Sequence, residues 1–245
     1  MSTPTPRHPV EVPTLLCHPG VFLVEQDYEI ILLCGKNAMA SVVVDGKTFA
    51  DSICGVMRSD TEVHKIKIPM ALLDAARAYR VHVTPLADHC NYYPKPDPTE
   101  VYDYDFTPVP NGEVKAFVLS DTHGDSVTPA AAALSREHLD LLILLGDIGD
   151  SAATREQVTT LHRLAASVTK GRYPTIYVRG NHDTRGYMAE HLVDYIPTRR
   201  GLTYYTFRAG GILGVVLDCG EDKPDTNIEY GLPEYGGVAD FLPFR

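Results

Sequence analysis

Residues 116–125 read Ala116-Phe117-Val118-Leu119-Ser120-Asp121-Thr122-His123-Gly124-Asp125. An apolar run of strand length ends at Ser120, and a carboxylate and an imidazole follow with one residue between them. In an open α/β sheet, ligands bind in the crevice beyond the carboxyl ends of the strands, so Asp121 and His123 are aimed at a site. The same grammar recurs twice. Leu141 to Leu145 is an apolar run that ends in Gly146-Asp147, and Thr175 to Val178 is another that ends in Arg179-Gly180-Asn181-His182-Asp183. Three strands therefore deliver Asp121, His123, Asp147, Asn181 and His182 to one rim.

Outward from these strands the pattern alternates between strand and helix, which predicts an α/β layer architecture. Pro129 to His138 is expected to be helical, with Thr128 as N-cap and Pro129 at the first helical position. Ala153 to Thr169 carries Val158, Leu161, Ala165 and Val168 at helical spacing, with Gly171 beyond its end. Arg185 to Val193 reads as a third, weaker helix. Leu202 to Phe207 and Ile212 to Leu217 read as a hairpin around Ala209-Gly210-Gly211. The histidines on predicted helices, His138, His162 and His191, are expected to face solvent. The tail after Asp218, with Glu221, Asp222 and Asp225, reads as a long surface loop.

Upstream the periodicity is that of β structure. Tyr28 to Cys34 is apolar, Asp45-Gly46 is a hairpin signal, and Val63 to Ile68 and Tyr79 to Val83 alternate. A short helical turn is expected around Leu72 to Ala76, and Val101 to Phe106 reads as a last, half-exposed strand. His64 and His82 are expected on solvent-facing positions. The proline-rich stretch from Asn91 to Gly112 discourages helix and reads as a linker. The expected division is a small all-β sandwich over 1–112 and an α/β domain over 113–245.

The chain has 245 residues, 44% of them hydrophobic, with a net charge of −10. This suits packed cores and argues against a basic surface for nucleic acid or anionic membrane. No apolar run approaches the roughly 20 residues that span a bilayer. The N-terminus lacks a charged start followed by an apolar block, so a cytoplasmic location is expected. The five cysteines, at positions 17, 34, 54, 90 and 219, form no CxxC pair. Reduced thiols fit better than disulfides or a cysteine zinc site. Cys219, just beyond a strand end, is expected to be a small buried residue rather than a chemical group.

Carboxylate, imidazole and amide oxygen together form a ligand set suited to Mn, Fe or Zn. Asp147 is central because its two oxygens can bridge two ions. Two ions about 3.5–4 Å apart can share a water and clamp the attacking and leaving oxygens of an in-line displacement, which is the chemistry of phosphoester hydrolysis. His182 would then protonate the leaving oxygen or hold transition-state charge. Arg179 either binds a phosphate oxygen or pairs with Asp183.

In that order and at those strand ends, Asp121-Thr122-His123, Gly146-Asp147 and Gly180-Asn181-His182-Asp183 resemble the first three signatures of the calcineurin-like metallophosphoesterases. The resemblance covers roughly Glu113 to Asp218 and implies a four-layer αββα core. It also implies Asp121 and His123 on a first metal, Asp147 bridging, Asn181 on a second metal, and His182 as the catalytic imidazole. The preceding β region resembles, in arrangement only, the fibronectin-like module of purple acid phosphatases. Those enzymes place a tyrosine three residues after the bridging aspartate, where this chain has Asp150, so purple iron chemistry is not expected.

The family completes its metal sites with later histidines, and no histidine follows His191. The expectation is therefore a C-terminally truncated core with an incomplete dinuclear site, either a piece of a longer phosphoesterase or a chain completed by a partner. Its exposed sheet would favour self-association. The expected function is metal-dependent phosphoester hydrolysis through a metal-bound hydroxide. The alternative is a catalytically incomplete remnant serving as a binding or interaction module. A nucleotide-binding reading is weakened because no strand is followed by GxGxxG or GxxxxGK[ST].

Overall fold

A computed structural model describes residues 13–88, 95–134, 139–218, 220, 228–229 and 232–233. The strands run β1 Gly20–Val24, β2 Asp27–Leu33, β3 Ala38–Val44, β4 Lys47–Ala50, β5 Ser52–Ile53, β6 Val56–Met57, β7 Val63–Pro69, β8 Ala78–Asp88, β9 Lys95–Pro96 and β10 Glu100–Asp105. They continue as β11 Ala116–Leu119, β12 Leu141–Leu145, β13 Thr175–Val178, β14 Tyr205–Ala209 and β15 Ile212–Val216. The helices are α1 Met70–Ala76, α2 Thr128–Leu134, α3 Arg155–Val158, α4 Thr160–Thr169 and α5 Leu192–Tyr195. Cys90, His138, Cys219 and the acidic tail residues Glu221, Asp222 and Asp225 lie outside the described residues.

The fold is mixed α/β with an N-terminal all-β region. Its main sheet has six strands in the order β11-β12-β13-β1-β2-β7. β11, β12, β13 and β1 are parallel, while β2 is antiparallel to both β1 and β7. The sheet therefore crosses the linker: Phe22 of β1 registers with Thr175 of β13. The strand that makes this join is Gly20–Val24, a continuous apolar run whose five residues are all buried. Such a run marks a strand covered on both faces. A second, antiparallel sheet has the order β10-β8-β3-β4, with β9 beside β8.

Side-chain alternation divides the main sheet between two cores. Val21 and Leu23 of β1, Tyr28, Ile30 and Leu32 of β2, and Leu141 of β12 pack in the core that holds Val42, Val81 and Val83 of the antiparallel sheet. Phe22, Ile31, Leu33, Leu142 and Leu144 point the other way, onto Leu161, Leu164, Ala165 and Val168 of α4. Each fully buried side chain of this kind contributes roughly 1.5–3 kcal/mol. The layers are thus helices, mixed sheet and antiparallel sheet, with the β14–β15 hairpin adding Tyr205, Phe207 and Val216 to the first core.

The long expected helix over 153–169 is interrupted. Thr154 and Gln157 form a capping box that starts α3, and α4 follows as a separate helix ending at Lys170, which takes a left-handed φ of 52°. The helix expected over 185–193 is instead one short 3₁₀ turn, Ala189–His191, followed by α5. Gly186 breaks it: its φ is 119°, and a Cβ there would lie 2.6 Å from the Ala152 carbonyl carbon.

Two histidines expected in solvent are buried. His64 shares its strand face with Ile66 and Ile68, so it sits on the apolar phase of β7, where Nδ1 lies 2.9 Å from Asp51 Oδ2. His162 is buried on α4, and its Nε2 lies 2.6 Å from the carbonyl of Tyr195, the last residue of α5. His82 is half-buried and His191 exposed. The end of α5 is held by Lys65, whose Nζ donates to the carbonyls of Val193 at 2.8 Å and Ile196 at 2.6 Å. Glu29 accepts from Thr198 N at 2.9 Å.

Burial holds the His162 imidazole down at a pKa of about 4, against 6.5 when solvated. Below pH 6.5 the unfolded chain takes up this proton while the folded one does not, so stability falls as pH drops from 6.5 toward 4. The loss attributable to this residue between pH 7 and pH 5 is about 2 kcal/mol. His162→Gln, which keeps a donor for the Tyr195 carbonyl, should show a correspondingly smaller drop in urea midpoint over that range. An equal drop in the two proteins would contradict the assignment.

Candidate metal centre

The three loops of interest leave the carboxyl ends of the parallel strands β11, β12 and β13. Their strands pair in register, Leu119 with Leu144 and Leu145 with Val178, so the loops emerge side by side. Backbone hydrogen bonds then lace them together: Asp121 N to Gly146 O at 3.3 Å, His123 N to Asp147 O at 3.1 Å, and Gly124 N to Ile148 O at 2.8 Å. Asp121, His123 and Asp147 all adopt left-handed φ values, 52°, 48° and 52°. Aspartate and histidine tolerate this region better than most residues, and such conformations concentrate at functional sites.

Two glycines make the contact between the second and third loops. A Cβ on Gly146 would lie 2.6 Å from the Gly180 Cα, and a Cβ on Gly180 would lie 2.1 Å from Asp147 Oδ1. The buried Asp147 carboxylate fits into this gap. Its Oδ1 accepts from His182 N at 2.9 Å, while Asp183 Oδ2 accepts from Gly180 N at 2.9 Å and from Asp147 N at 3.3 Å. Burial raises the pKa of Asp183, and the Gly180 N–H offsets part of that rise.

Ligand-capable atoms of His123, Asp147 and His182 lie within 4.8 Å of one another. The two imidazoles meet edge to face, with centroids 4.5 Å apart at 82°. His182 Nδ1 lies 2.7 Å from the Asp150 carbonyl, which can only accept, so Nδ1 carries the proton and Nε2 the lone pair; Arg185 NH1 stands 3.1 Å from Nε2. His123 Nδ1 is 3.6 Å from Asp150 Oδ1.

Asn181 borders the other oxygen of Asp147. With its amide nitrogen 2.9 Å from Asp147 Oδ2 and its carbonyl accepting from Arg185 NH2 at 2.7 Å, it is fully hydrogen-bonded. Turned over, its carbonyl oxygen faces Oδ2 across the same gap, an acceptor pair that a cation satisfies. The donor set, His123, Asp147 and His182 with Asn181 beside Asp147 Oδ2, therefore fits a hard to borderline divalent ion.

Of the residues expected at the rim, His123, Asp147, Asn181 and His182 come together. The Asp121 carboxylate stands outside the group of three, exposed and accepting from Ser120 Oγ. Arg179, expected either to bind a phosphate oxygen or to pair with Asp183, makes an ion pair with Asp218. Its NH2 lies 2.7 Å from Asp218 Oδ2, with side chains only 11% and 1% exposed, so it is tied into the protein beneath the site. Asp150 and Arg185 were not singled out by the sequence as members of the site. Their signal is proximity alone, three residues after Asp147 and three after His182.

Residues 114–222 match the calcineurin-like phosphoesterase superfamily domain. The match takes in less than half of the chain. No curated protein matches the chain. Among solved structures, a purple acid phosphatase from yellow lupin (Lupinus luteus) seeds aligns at 11% identity and a TM-score of 0.47, over 78% of this chain and 42% of its own. A Bifidobacterium dentium β-glucuronidase complexed with coumarin-3-O-glucuronide aligns at 10% identity and a TM-score of 0.27, over 66% of this chain and 30% of its own. The chain thus spans less than half of either protein, and neither likeness bears on its chemistry. Among the described residues no helix is long and apolar enough to cross a membrane.

Because Arg179 neutralises a buried carboxylate, Arg179→Met should act first on stability. The expected loss is about 3 kcal/mol in urea unfolding, since one partner of a buried pair is left uncompensated. Unfolding at the wild-type midpoint would show that the pair contributes nothing.

Proposed function

We propose that the chain is a metal-dependent phosphoester hydrolase whose centre lies at the β11, β12 and β13 loop ends. The observation that carries this reading is the convergence of His123, Asp147 and His182 within 4.8 Å, inside the segment that matches the calcineurin-like phosphoesterase superfamily domain. Asp147 would hold ions on both of its oxygens, with His123 on one side and Asn181 on the other, and Asp121 would join on the His123 side. Two ions of the Mn, Fe or Zn class are proposed. A divalent ion in such a site lowers the pKa of its water and polarises phosphoryl oxygens.

The protein's own groups do the rest. Asp183 fixes the Gly180 and Asp147 amides and so sets the position of the Asp147 carboxylate. The Asp150 carbonyl favours the His182 tautomer with the proton on Nδ1 and a lone pair on Nε2; once Nε2 has taken up a proton, the imidazolium would give that proton to the leaving oxygen. The division at 112–113 is retained as a proposal about chain organisation, with the β region buttressing the site strands through β1.

We further propose a cytoplasmic location and self-association. A cytoplasmic location is supported by free thiols at Cys17, Cys34 and Cys54. Burial raises Cys17 to a pKa of about 11 and Cys34 to about 12, so both behave as packing residues. Self-association is supported by Leu213 and Val215, exposed side by side on one face of β15. The non-catalytic alternative is favoured by the position of Asp121 outside the ligand group.

Hydrolysis of p-nitrophenyl phosphate and bis-p-nitrophenyl phosphate with added Mn²⁺ separates the readings. The enzyme reading expects turnover that Asp147→Asn lowers at least about 100-fold. Absence of turnover with metal bound would favour the binding-module alternative. Sedimentation of the same samples should give dimers, and a monomer at all concentrations would remove the self-association proposal.

A further inference from the structure

We propose that Arg163 is a positioning residue of the cation centre: from α4 it grips Asp125, holds the loop that carries His123 in its ligating shape, and so sets metal affinity without being a ligand. This role rests on the phosphoesterase reading and deepens it, since it names what keeps the first loop of that same centre in place.

The loop after β11 is fastened on its inner side to the loop after β12. Asp121, His123 and Gly124 donate their amides to Gly146, Asp147 and Ile148, and Thr122 Oγ1 donates to the Ile148 carbonyl at 2.9 Å. In meeting those partners the chain takes left-handed φ values at Asp121 and His123, and Gly124 follows at 125°. Such a conformation persists only where the surroundings fix the segment from more than one side. Gly124 itself supplies no packing, since a Cβ there would meet nothing within 4 Å.

The second fastening is Asp125, two residues after His123 and the first residue of the 3₁₀ turn Asp125–Val127 that leads into α2. Its Oδ2 accepts from Arg163 Nε at 3.0 Å and from Arg163 NH2 at 2.8 Å. The guanidinium is fixed in turn: NH1 donates to Thr159 Oγ1 at 2.8 Å and NH2 to the Glu156 carbonyl at 2.8 Å. Leu164 and Ala165, the next two residues, are buried in the helical core against the main sheet. Arg163 is therefore a rigid post on the same sheet that carries the centre. The pair is partly exposed, 37% for Arg163 and 51% for Asp125. Pairs of that kind add little to folding stability, so the contact acts on loop geometry more than on the fold.

Charge and position make opposite predictions for Arg163. Deleting a cation near a metal site tightens metal binding on electrostatic grounds alone, whereas loosening the His123 loop weakens it. The test is calorimetric titration of Mn²⁺ into the full chain for wild type, Arg163→Gln, Arg163→Lys, Asp125→Ala and the Arg163→Gln/Asp125→Ala double variant, with urea unfolding of each metal-free protein. Arg163→Gln should weaken Mn²⁺ about tenfold, the size of effect seen when a group supporting a metal ligand is removed. Arg163→Lys should recover part of that loss, keeping the charge and losing the fork. The double variant should lose no more than the larger single loss, because both changes break one contact. Urea midpoints should stay close to wild type. Wild-type or tighter Mn²⁺ binding by Arg163→Gln would overturn the assignment, as would a lowered midpoint with unchanged Mn²⁺ affinity or losses that multiply in the double variant. Wild-type protein that binds no Mn²⁺ would overturn the phosphoesterase reading and this role with it.

Discussion

The site depends on how closely the loop after β12 can approach the loop after β13. Gly146 and Gly180 pass each other at a separation that leaves no room for a Cβ on either, and the Asp147 carboxylate occupies the space so created. Everything else is arranged around that carboxylate. The His182 amide binds one of its oxygens, the Asn181 side chain borders the other, and the Asp183 carboxylate fixes the two flanking amides. A buried carboxylate is costly unless its surroundings satisfy it, and here backbone N–H groups do much of that work.

The loops can meet only because their strands are in register, and the register is secured by burial on both faces of the sheet. β1 contributes most to this. Val21, Leu23 and Val24 enter the inter-sheet core and Phe22 the helical core, so the N-terminal β region holds β13 in place from the side away from β12. The Lys65 contacts to Val193 and Ile196 add a polar tie on the far edge, joining β7 to the end of α5. Linker composition between 91 and 112 marks a change in chain character, yet hydrogen bonding continues across it.

Much of this was legible in the sequence. Apolar runs ending in DTH, GD and GNHD carry both the parallel strands and the rim residues, because strand ends in such sheets face a common crevice. What escaped has particular physical causes. Gly20–Val24 has no alternation to read, since a strand buried on both faces loses its period. His64 was misassigned because charged Lys65 and Lys67 obscure the phase it shares with Ile66 and Ile68. The burial of His162 is not announced by its own helix, since the contact comes from Tyr195 at the end of α5. Arg179 and Arg185 are placed by tertiary contacts that the sequence does not announce: Arg179 meets Asp218, and Arg185 stands beside His182.

The central claim is that one carboxylate, Asp147, anchors a cation between His123 and Asn181. A crystal soaked in Mn²⁺ and measured at a wavelength giving manganese anomalous scattering tests it directly. The account predicts an anomalous peak within coordination distance of Asp147 and His123, with a second beside Asn181 when both positions fill. A peak only at surface carboxylates, or none at Asp147, would contradict it.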